Sequence, residues 1–372
     1  MRLNQLDTPC LLLDRARLEG NAQRMQQRAQ ELGVELRPHL KTAKSIEVAR
    51  IASGGPPAAI TVATLNEAEY FASHGVPDIL YAVCVTPNKL DRVARLNASA
   101  VRVSVIVDSM LAAKALAEHP GQHAALLEID CGEDRTGLSL DDPALLDIAR
   151  CLHQAPRCRF RGVMTHGGHS YKGAEPAEIR AVAEQERSSV VEAAERLRQA
   201  QIPCQIVSVG STPTATHALQ LEGVTEMRPG VYLFGDLFQA GIGCCAVEDI
   251  ACSVLATVIS HRRTSNRLVI DAGGLALSKD RSTAGRSFDA GYGRILAGHR
   301  GEPIHDLQVY SVHQEHGEVG SADELPWQRL PIGALVRVLP NHVCMTAAMY
   351  DRYFVLDEAA QVMAEWDRSN GW

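Results

Sequence analysis

Short β-branched or apolar runs alternate with longer stretches of helical spacing through the first two thirds of the chain, and this alternation constrains the fold most. The runs are Val34–Leu36, Ala58–Ala63, Asp78–Ala82, Arg102–Val107, Ala124–Ile129, Arg161–Thr165, Gln205–Val209 and Glu226–Tyr232. Between them lie helical patterns such as Asn66–His74, Ser109–Glu118, Pro143–Gln154 and Pro176–Gln201. Repeated strand–helix units build parallel sheets, and eight of them predict a closed α/β barrel, the (β/α)8 architecture, over residues 8–240. Past Gly241 the texture changes. Ser253–His261, Arg267–Asp271, Leu307–His313, Leu335–Leu339 and Tyr353–Leu356 read as strands without long helices between them. A smaller β-rich domain is expected over 241–372, with residues 1–7 joining it.

With 372 residues, 46% of them apolar, the chain can bury the cores of one large domain and one smaller one. A net charge of −7 argues against a nucleic-acid binder but not against an anionic substrate, because local cations set the field in a cleft. No apolar run is long enough to span a bilayer, and the polar start Arg2-Leu3-Asn4-Gln5 lacks the apolar segment of a secretion signal. A cytoplasmic location is expected. Cys10, Cys84, Cys204 and Cys252, four of the ten cysteines, sit in apolar runs and read as reduced packing residues. Cys244-Cys245 lacks a metal-binding spacing, and only Cys344 keeps company that suggests chemistry.

That chemistry concentrates in a few stretches. A helical run from Leu18 to Leu32 stops at Gly33, the strand Val34–Leu36 follows, and Arg37, His39 and Lys41 crowd its end. Barrel folds place reactive groups at strand ends, and a lysine among cations and apolar neighbours becomes a nucleophilic amine. A solvated basic loop is the plain alternative. Ser208-Val209-Gly210-Ser211-Thr212 runs a strand into a turn of small residues, suited to cradling a phosphate. His342 and Cys344, two apart on what reads as an extended strand, project to one face, where nitrogen and sulfur could share a divalent cation.

Asp7-Thr8-Pro9 leading into Leu11-Leu12-Leu13-Asp14, followed by Arg37-Pro38-His39-Leu40-Lys41-Thr42, resembles the opening of the D-threonine aldolase and D-serine dehydratase family. That family comprises pyridoxal 5'-phosphate enzymes with the alanine racemase fold, and the likeness extends along nearly the whole chain. The resemblance implies that Lys41 is the Schiff-base lysine. Ser211, Thr212, Gly230, Val231 and Tyr232 then fall in the phosphate site, and Arg228 falls beside the pyridine nitrogen. His166 matches the histidine that stacks on the ring. Arg135 falls near the cofactor's phenolic oxygen or the substrate carboxylate, and Tyr171 lines the same cleft, as does His169. His342 and Cys344 match the metal ligands, and His316 lies in a segment near the metal as a further acid–base candidate. Thiolate plus imidazole favours zinc, with manganese or magnesium left open.

Cys344 stands where aldolase members generally carry Asp, so the resemblance leans to the dehydratase branch. The implied reaction is metal-assisted elimination of water from a β-hydroxy D-amino acid such as D-serine or 3-hydroxy-D-aspartate, giving a 2-oxo acid and ammonia. Arg37, Arg135, Lys279 and Arg281 make a dicarboxylic substrate plausible. The alternatives are retro-aldol cleavage to glycine and an aldehyde, and, more remotely, a non-catalytic pyridoxal-phosphate-binding homeostasis protein. A homodimer is implied, with no membrane or nucleic-acid partner.

Overall fold

The computed structural model describes residues 2–173, 175–298 and 301–372, so Met1, counted above with the N-terminal seven, lies outside the described residues. Two units are distinguished: Ala22–Gly230 with Ser369–Trp372, and Met1–Asn21 with Val231–Arg368. The strand β1 (Cys10–Asp14) belongs to the second, and the helix Arg15–Glu31 after it closes at Gly33, whose φ of +69° suits glycine.

In the first unit, eight strands run parallel: β2 (Glu35–Leu36), β3 (Ala59–Val62), β4 (Asp78–Cys84), β5 (Arg102–Val107), β6 (His123–Ile129), β7 (Cys158–Thr165), β8 (Ile206–Val209) and β9 (Glu226–Met227). Their order is β2-β9-β8-β7-β6-β5-β4-β3. A parallel bridge between His39 and Thr61 joins the chain after β2 to β3, which closes the expected (β/α)8 barrel. Leu80, Ile106, Leu126, Met164 and Ile206, one from each of β4 to β8, pack together as an interior layer. Helices intervene, including Leu65–Ser73 and Met110–Glu118, whose N-cap hydroxyls on Thr64 and Ser109 accept from Glu67 N and Ala112 N.

The second unit contains β10 (Cys252–Arg262), β11 (Arg267–Ile270), β12 (Gly293–Ala297), β13 (Glu302–Val312), β14 (Gly317–Gly320), β15 (Leu335–Pro340), β16 (Arg352–Leu356) and β17 (Val362–Asp367), and is antiparallel apart from the β1–β16 pair. Six of these close a barrel in the order β10-β11-β14-β13-β12-β15, and β1, β16 and β17 extend the sheet from β10. The strands β12, β14 and β17 were not legible in the sequence. Glycines begin β12 and flank β14, and β17 pairs on one side only, so none carries a strong apolar signal.

Two boundaries differ from the sequence reading. The strand β1, expected inside the barrel span of 8–240, instead pairs antiparallel with β10 and parallel with β16. Leu11, Leu12 and Leu13 are all at most 1% exposed, as a strand covered on both faces requires. The second unit also begins at Val231 rather than 241. Residues 231–240 are tied to it by Phe238 N donating to Asn341 O (3.2 Å) and Val343 N donating to Asp236 Oδ2 (2.9 Å).

Candidate active site

After β2 the chain is stitched to both neighbouring strands. Arg37 N donates to Met227 O, His39 N to Pro229 O and Leu40 N to Thr61 O, each at 2.9 Å. This backbone ladder delivers Lys41 to the barrel's C-terminal mouth, where it starts a turn, is exposed, and donates from its N–H to His39 Nδ1 (3.4 Å). A Cβ on Gly230 would come within 2.5 Å of His39 O, so the close approach of the two loops needs glycine there.

Imidazoles and cations gather around Lys41. Burial, then the charges of Lys41, Arg228 and His166, hold His39 well below the usual histidine range. Burial, followed by Lys41, also lowers His166, to about 3, with Arg135 and Arg228 adding to the effect. Both rings are therefore neutral at pH 7. His166 donates from Nδ1 to Gly210 O (2.6 Å), which leaves Nε2 unprotonated. Lys41, His166, Arg135 and Arg228 thus share one electrostatic neighbourhood.

Beside it lie the small residues expected to hold a phosphate. Ser211 caps the short helix Thr212–His217, its Oγ 2.9 Å from Thr214 Oγ1 and 3.0 Å from Ser170 Oγ. Ser211 and Thr212 are buried, and Tyr171 sits half-buried in the adjoining turn Gly168–Lys172. Val231 and Tyr232 fall just past the boundary between the units, in a buried turn Val231–Leu233 rather than at the end of a long strand. His169, with Nε2 3.4 Å from Gln185 Oε1, keeps its Nδ1 buried without a hydrogen-bond partner among the described residues.

Sequence reading missed Glu186. It stands on the buried face of Pro176–Gln199, in register with Ile179, Ala183, Val190 and Leu197, and that spacing was the available signal. Its Oε1 accepts from Gly167 N (2.6 Å) and from Gly210 N (3.0 Å), and burial raises its pKa.

Arg228 is buried, donates to Thr165 O (2.5 Å) and Ser208 Oγ, and forms no ion pair among the described residues. Ser208 Oγ donates in turn to Glu226 Oε1 (2.7 Å). Arg37 differs from expectation: it points into the barrel, with Nε donating to Glu226 Oε2 (2.9 Å) and a guanidinium nitrogen to Asp78 Oδ1 (3.2 Å). Asp78 and Arg102, which pair with each other, open β4 and β5, so this network occupies the end of the barrel away from Lys41. Arg37 is therefore spent on the core and is not a substrate contact.

Arg135 is exposed, 3.4 Å from Glu133, on a loop organised by Asp130 Oδ1 accepting from Gly132 N, Glu133 N and Asp134 N. Cys84, read as packing, instead donates its thiol to Glu128 Oε2 (3.0 Å), and with Asp108 these form a compact donor cluster at the C-terminal ends of β4 to β6. Burial raises the Cys84 and Glu128 pKa values, so a protonated thiol satisfying a carboxylate accounts for the contact.

In the second unit, His342 and Cys344 do not lie on an extended strand. The strand β15 ends at Pro340, His342 is the N-cap of the helix Val343–Ala347, and Cys344 lies within that helix. Asp236 imposes the turn by accepting from Val343 N, and Thr346 Oγ1 secures it by donating to Leu277 O (2.8 Å). The pair still converges: despite burial, the pKa of His342 is pushed up to about 10 by hydrogen bonding to Cys344 and by Cys344, Asp236 and Asp280. His342 Nδ1 donates to Asp280 Oδ2 (2.5 Å). His316 is exposed in the hairpin between β13 and β14, and its neighbour Gln314 shares a cavity of about 450 Å³ with Met345, Lys279, Leu275 and Met349.

These side chains fit the groups the resemblance implies. A primary amine, a neutral imidazole, a buried arginine without a carboxylate partner and a hydroxyl cluster match an anionic aromatic aldehyde phosphate. The His342 imidazole and the Cys344 thiol supply nitrogen and sulfur donors that suit a divalent cation. None of the ten cysteines forms a disulfide. No helix among the described residues is long and apolar enough to cross a membrane.

Parallel barrel, β-rich second unit and strand-end lysine together define the alanine racemase-like class. Residues 13–237 match the alanine racemase N-terminal domain, and residues 251–356 match a putative serine dehydratase domain. D-threo-3-hydroxyaspartate dehydratase of Delftia sp. (strain HT23) is 44% identical over 376 residues, covering 99% of this chain and 98% of the relative. Its solved structure superposes with a TM-score of 0.96, covering 100% of both chains at 43% identity, and a cysteine-to-alanine variant of it has been solved in a metal-free form. D-serine dehydratase of Dictyostelium discoideum is 31% identical over 395 residues, 100% of this chain and 98% of the relative. More distantly, a D-threonine aldolase of Arthrobacter is 30% identical over 365 residues, 95% of this chain and 90% of the relative. The chain belongs to the D-threonine aldolase and D-serine dehydratase family.

Proposed function

We propose that this chain is a lyase, a pyridoxal 5'-phosphate- and divalent-metal-dependent dehydratase. It converts a β-hydroxy D-amino acid, foremost 3-hydroxy-D-aspartate and then D-serine, to a 2-oxo acid and ammonia. The observation that carries this reading is the gathering of Lys41, His166 and Arg228 at one barrel mouth, in a chain 44% identical to a D-threo-3-hydroxyaspartate dehydratase.

When bound, the pyridoxal ring supplies an electron sink for Cα–H cleavage and the metal supplies Lewis acidity at the β-oxygen. Lys41 Nζ would anchor the aldehyde group and, as a free amine, serve as the base for the Cα proton. Arg228 cannot act as a proton acid near pH 7, so it would hold the ring nitrogen by a hydrogen bond without protonating it. His166, neutral and tied to Gly210, packs as a flat face without adding charge. Ser211 and Thr212 hold the phosphate together with the backbone from Gly230 to Tyr232, and Arg135 and Tyr171 orient the bound molecule. His342 and Cys344 hold the metal, zinc by donor type, with His316 as an acid–base group nearby. The β-hydroxyl would leave as water with a proton supplied by an acid such as His316; the free enamine tautomerises to an imine, which takes up water to give the 2-oxo acid and ammonia.

Lys279 forms no ion pair among the described residues, whereas Arg37 and Arg281 are committed to carboxylates. This supports Lys279 as the contact for a second substrate carboxylate. A cytoplasmic homodimer completes the reading.

The test is a panel of D-serine, D-threonine and the 3-hydroxyaspartate stereoisomers, with product identification and with or without chelator. Ammonia with pyruvate or oxaloacetate supports the dehydratase. Glycine with an aldehyde would install the aldolase instead, and cofactor binding without turnover would install the homeostasis role.

A further inference from the structure

Glu186 has no part in the chemistry above, yet it is 1% exposed and directed at the two loops that carry the site. One oxygen, Oε1, accepts from the backbone of both: Gly167 N after β7 and Gly210 N after β8. His166, the residue before Gly167, donates from Nδ1 to Gly210 O. Glu186 Oε1, the peptide from His166 to Gly167, the His166 ring and Gly210 therefore form a closed hydrogen-bonded ring. Space around it is tight: a Cβ on Gly167 would stand 3.1 Å from both Glu186 Cδ and Thr214 Cγ2.

We infer that Glu186 is a positioning residue: by tying the β7 and β8 loops at a single oxygen, it sets the plane and the Nδ1–H tautomer of the His166 imidazole. Without that tie, Gly210 is free to rotate its carbonyl away from the ring, and the imidazole loses the one contact among the described residues that distinguishes its two nitrogens. The role requires an acceptor at this point rather than a negative charge. Glutamine would supply it, since its carbonyl oxygen can accept both N–H groups while its amide faces Thr214. The inference rests on the proposed function only in taking the cofactor as pyridoxal phosphate; the tautomer claim stands apart from it.

The experiment compares wild type, Glu186→Gln and Glu186→Ala, with Glu186→Met in reserve should the alanine variant not fold. Two quantities are read: the ring-nitrogen shifts of 15N-histidine-labelled protein without cofactor, and the dissociation constant and absorption band with pyridoxal phosphate added. Wild type and Glu186→Gln should both show the Nδ1–H form of His166 and bind the cofactor within about twofold of each other. Glu186→Ala should show an averaged tautomer, a displaced absorption band and affinity weakened by about tenfold to a hundredfold, the range for leaving buried N–H groups without an acceptor. An alanine or methionine variant that keeps the wild-type tautomer and affinity overturns the inference. Wild-type protein that binds no pyridoxal phosphate would instead undo the functional reading and leave the tautomer result to decide this one.

Discussion

Arg37 and Glu226 form a buried ion pair, Nε to Oε2 at 2.9 Å, with both side chains less than a tenth exposed. Asp78 holds the other side of the same guanidinium at 3.2 Å. Replacing Arg37 by Met strands the Glu226 carboxylate in the barrel, whereas Asp78 keeps Arg102 and Arg161, and breaking such a buried pair costs about 3–5 kcal/mol. Urea unfolding should register that loss, while the folded variant should keep the wild-type ratio of KM values for D-serine and 3-hydroxy-D-aspartate. A selective rise for the dicarboxylate would return Arg37 to the substrate.

Lys279 should behave in the opposite way. Lys279→Met removes an open-facing cation from the cavity beside Met345 without touching the core. The KM for 3-hydroxy-D-aspartate is expected to rise about tenfold or more, the value of a charge-assisted contact, with D-serine kinetics within about twofold. Equal effects on both substrates would remove Lys279 from recognition.

If His342 and Cys344 hold the metal as proposed, turnover should depend on it. Chelation, His342→Ala and Cys344→Ala should each lower kcat/KM for ammonia release by at least about a hundredfold, since several kcal/mol of Lewis-acid stabilisation would be lost. Metal analysis of the purified variants should show the matching loss of bound ion. Full turnover by metal-free protein would rule out the Lewis-acid role.

Acid should weaken the barrel through His123. This residue is 4% exposed, its Nε2 lies 2.9 Å from His119 Nδ1, and its pKa falls to about 4 through burial and then the nearby His119. The folded value lies below the unfolded one, so unfolding takes up a proton between about pH 6.5 and 4, and stability declines as pH falls through that window. Between pH 7 and pH 5 the loss from this group is about 2 kcal/mol. His123→Gln should flatten that portion of the stability–pH curve in urea titrations, and an unchanged slope would exclude His123 as its source.

Much of the active-site reading was local. Lys41 lies five residues past a strand end that its own neighbours announce, and His342 and Cys344 sit two apart, so chain connectivity alone brings each set together. The local geometry expected for His342 and Cys344 was nonetheless off by one element. The apolar run Leu335–Leu339 gave no sign that Asp236, 107 residues earlier, would turn the chain into a helix at Val343.

Periodicity and composition were sufficient for the eight-unit barrel, the β-rich remainder and the lysine at the barrel mouth, because each is written in residues close together along the chain. Tertiary structure alone decided that Arg37 belongs to Glu226, 189 residues away, that β1 crosses into the second unit, and that Glu186 ties Gly167 to Gly210. Which buried charge meets which partner depends on where barrel closure brings distant strands. Burial then makes that choice costly to leave unmet.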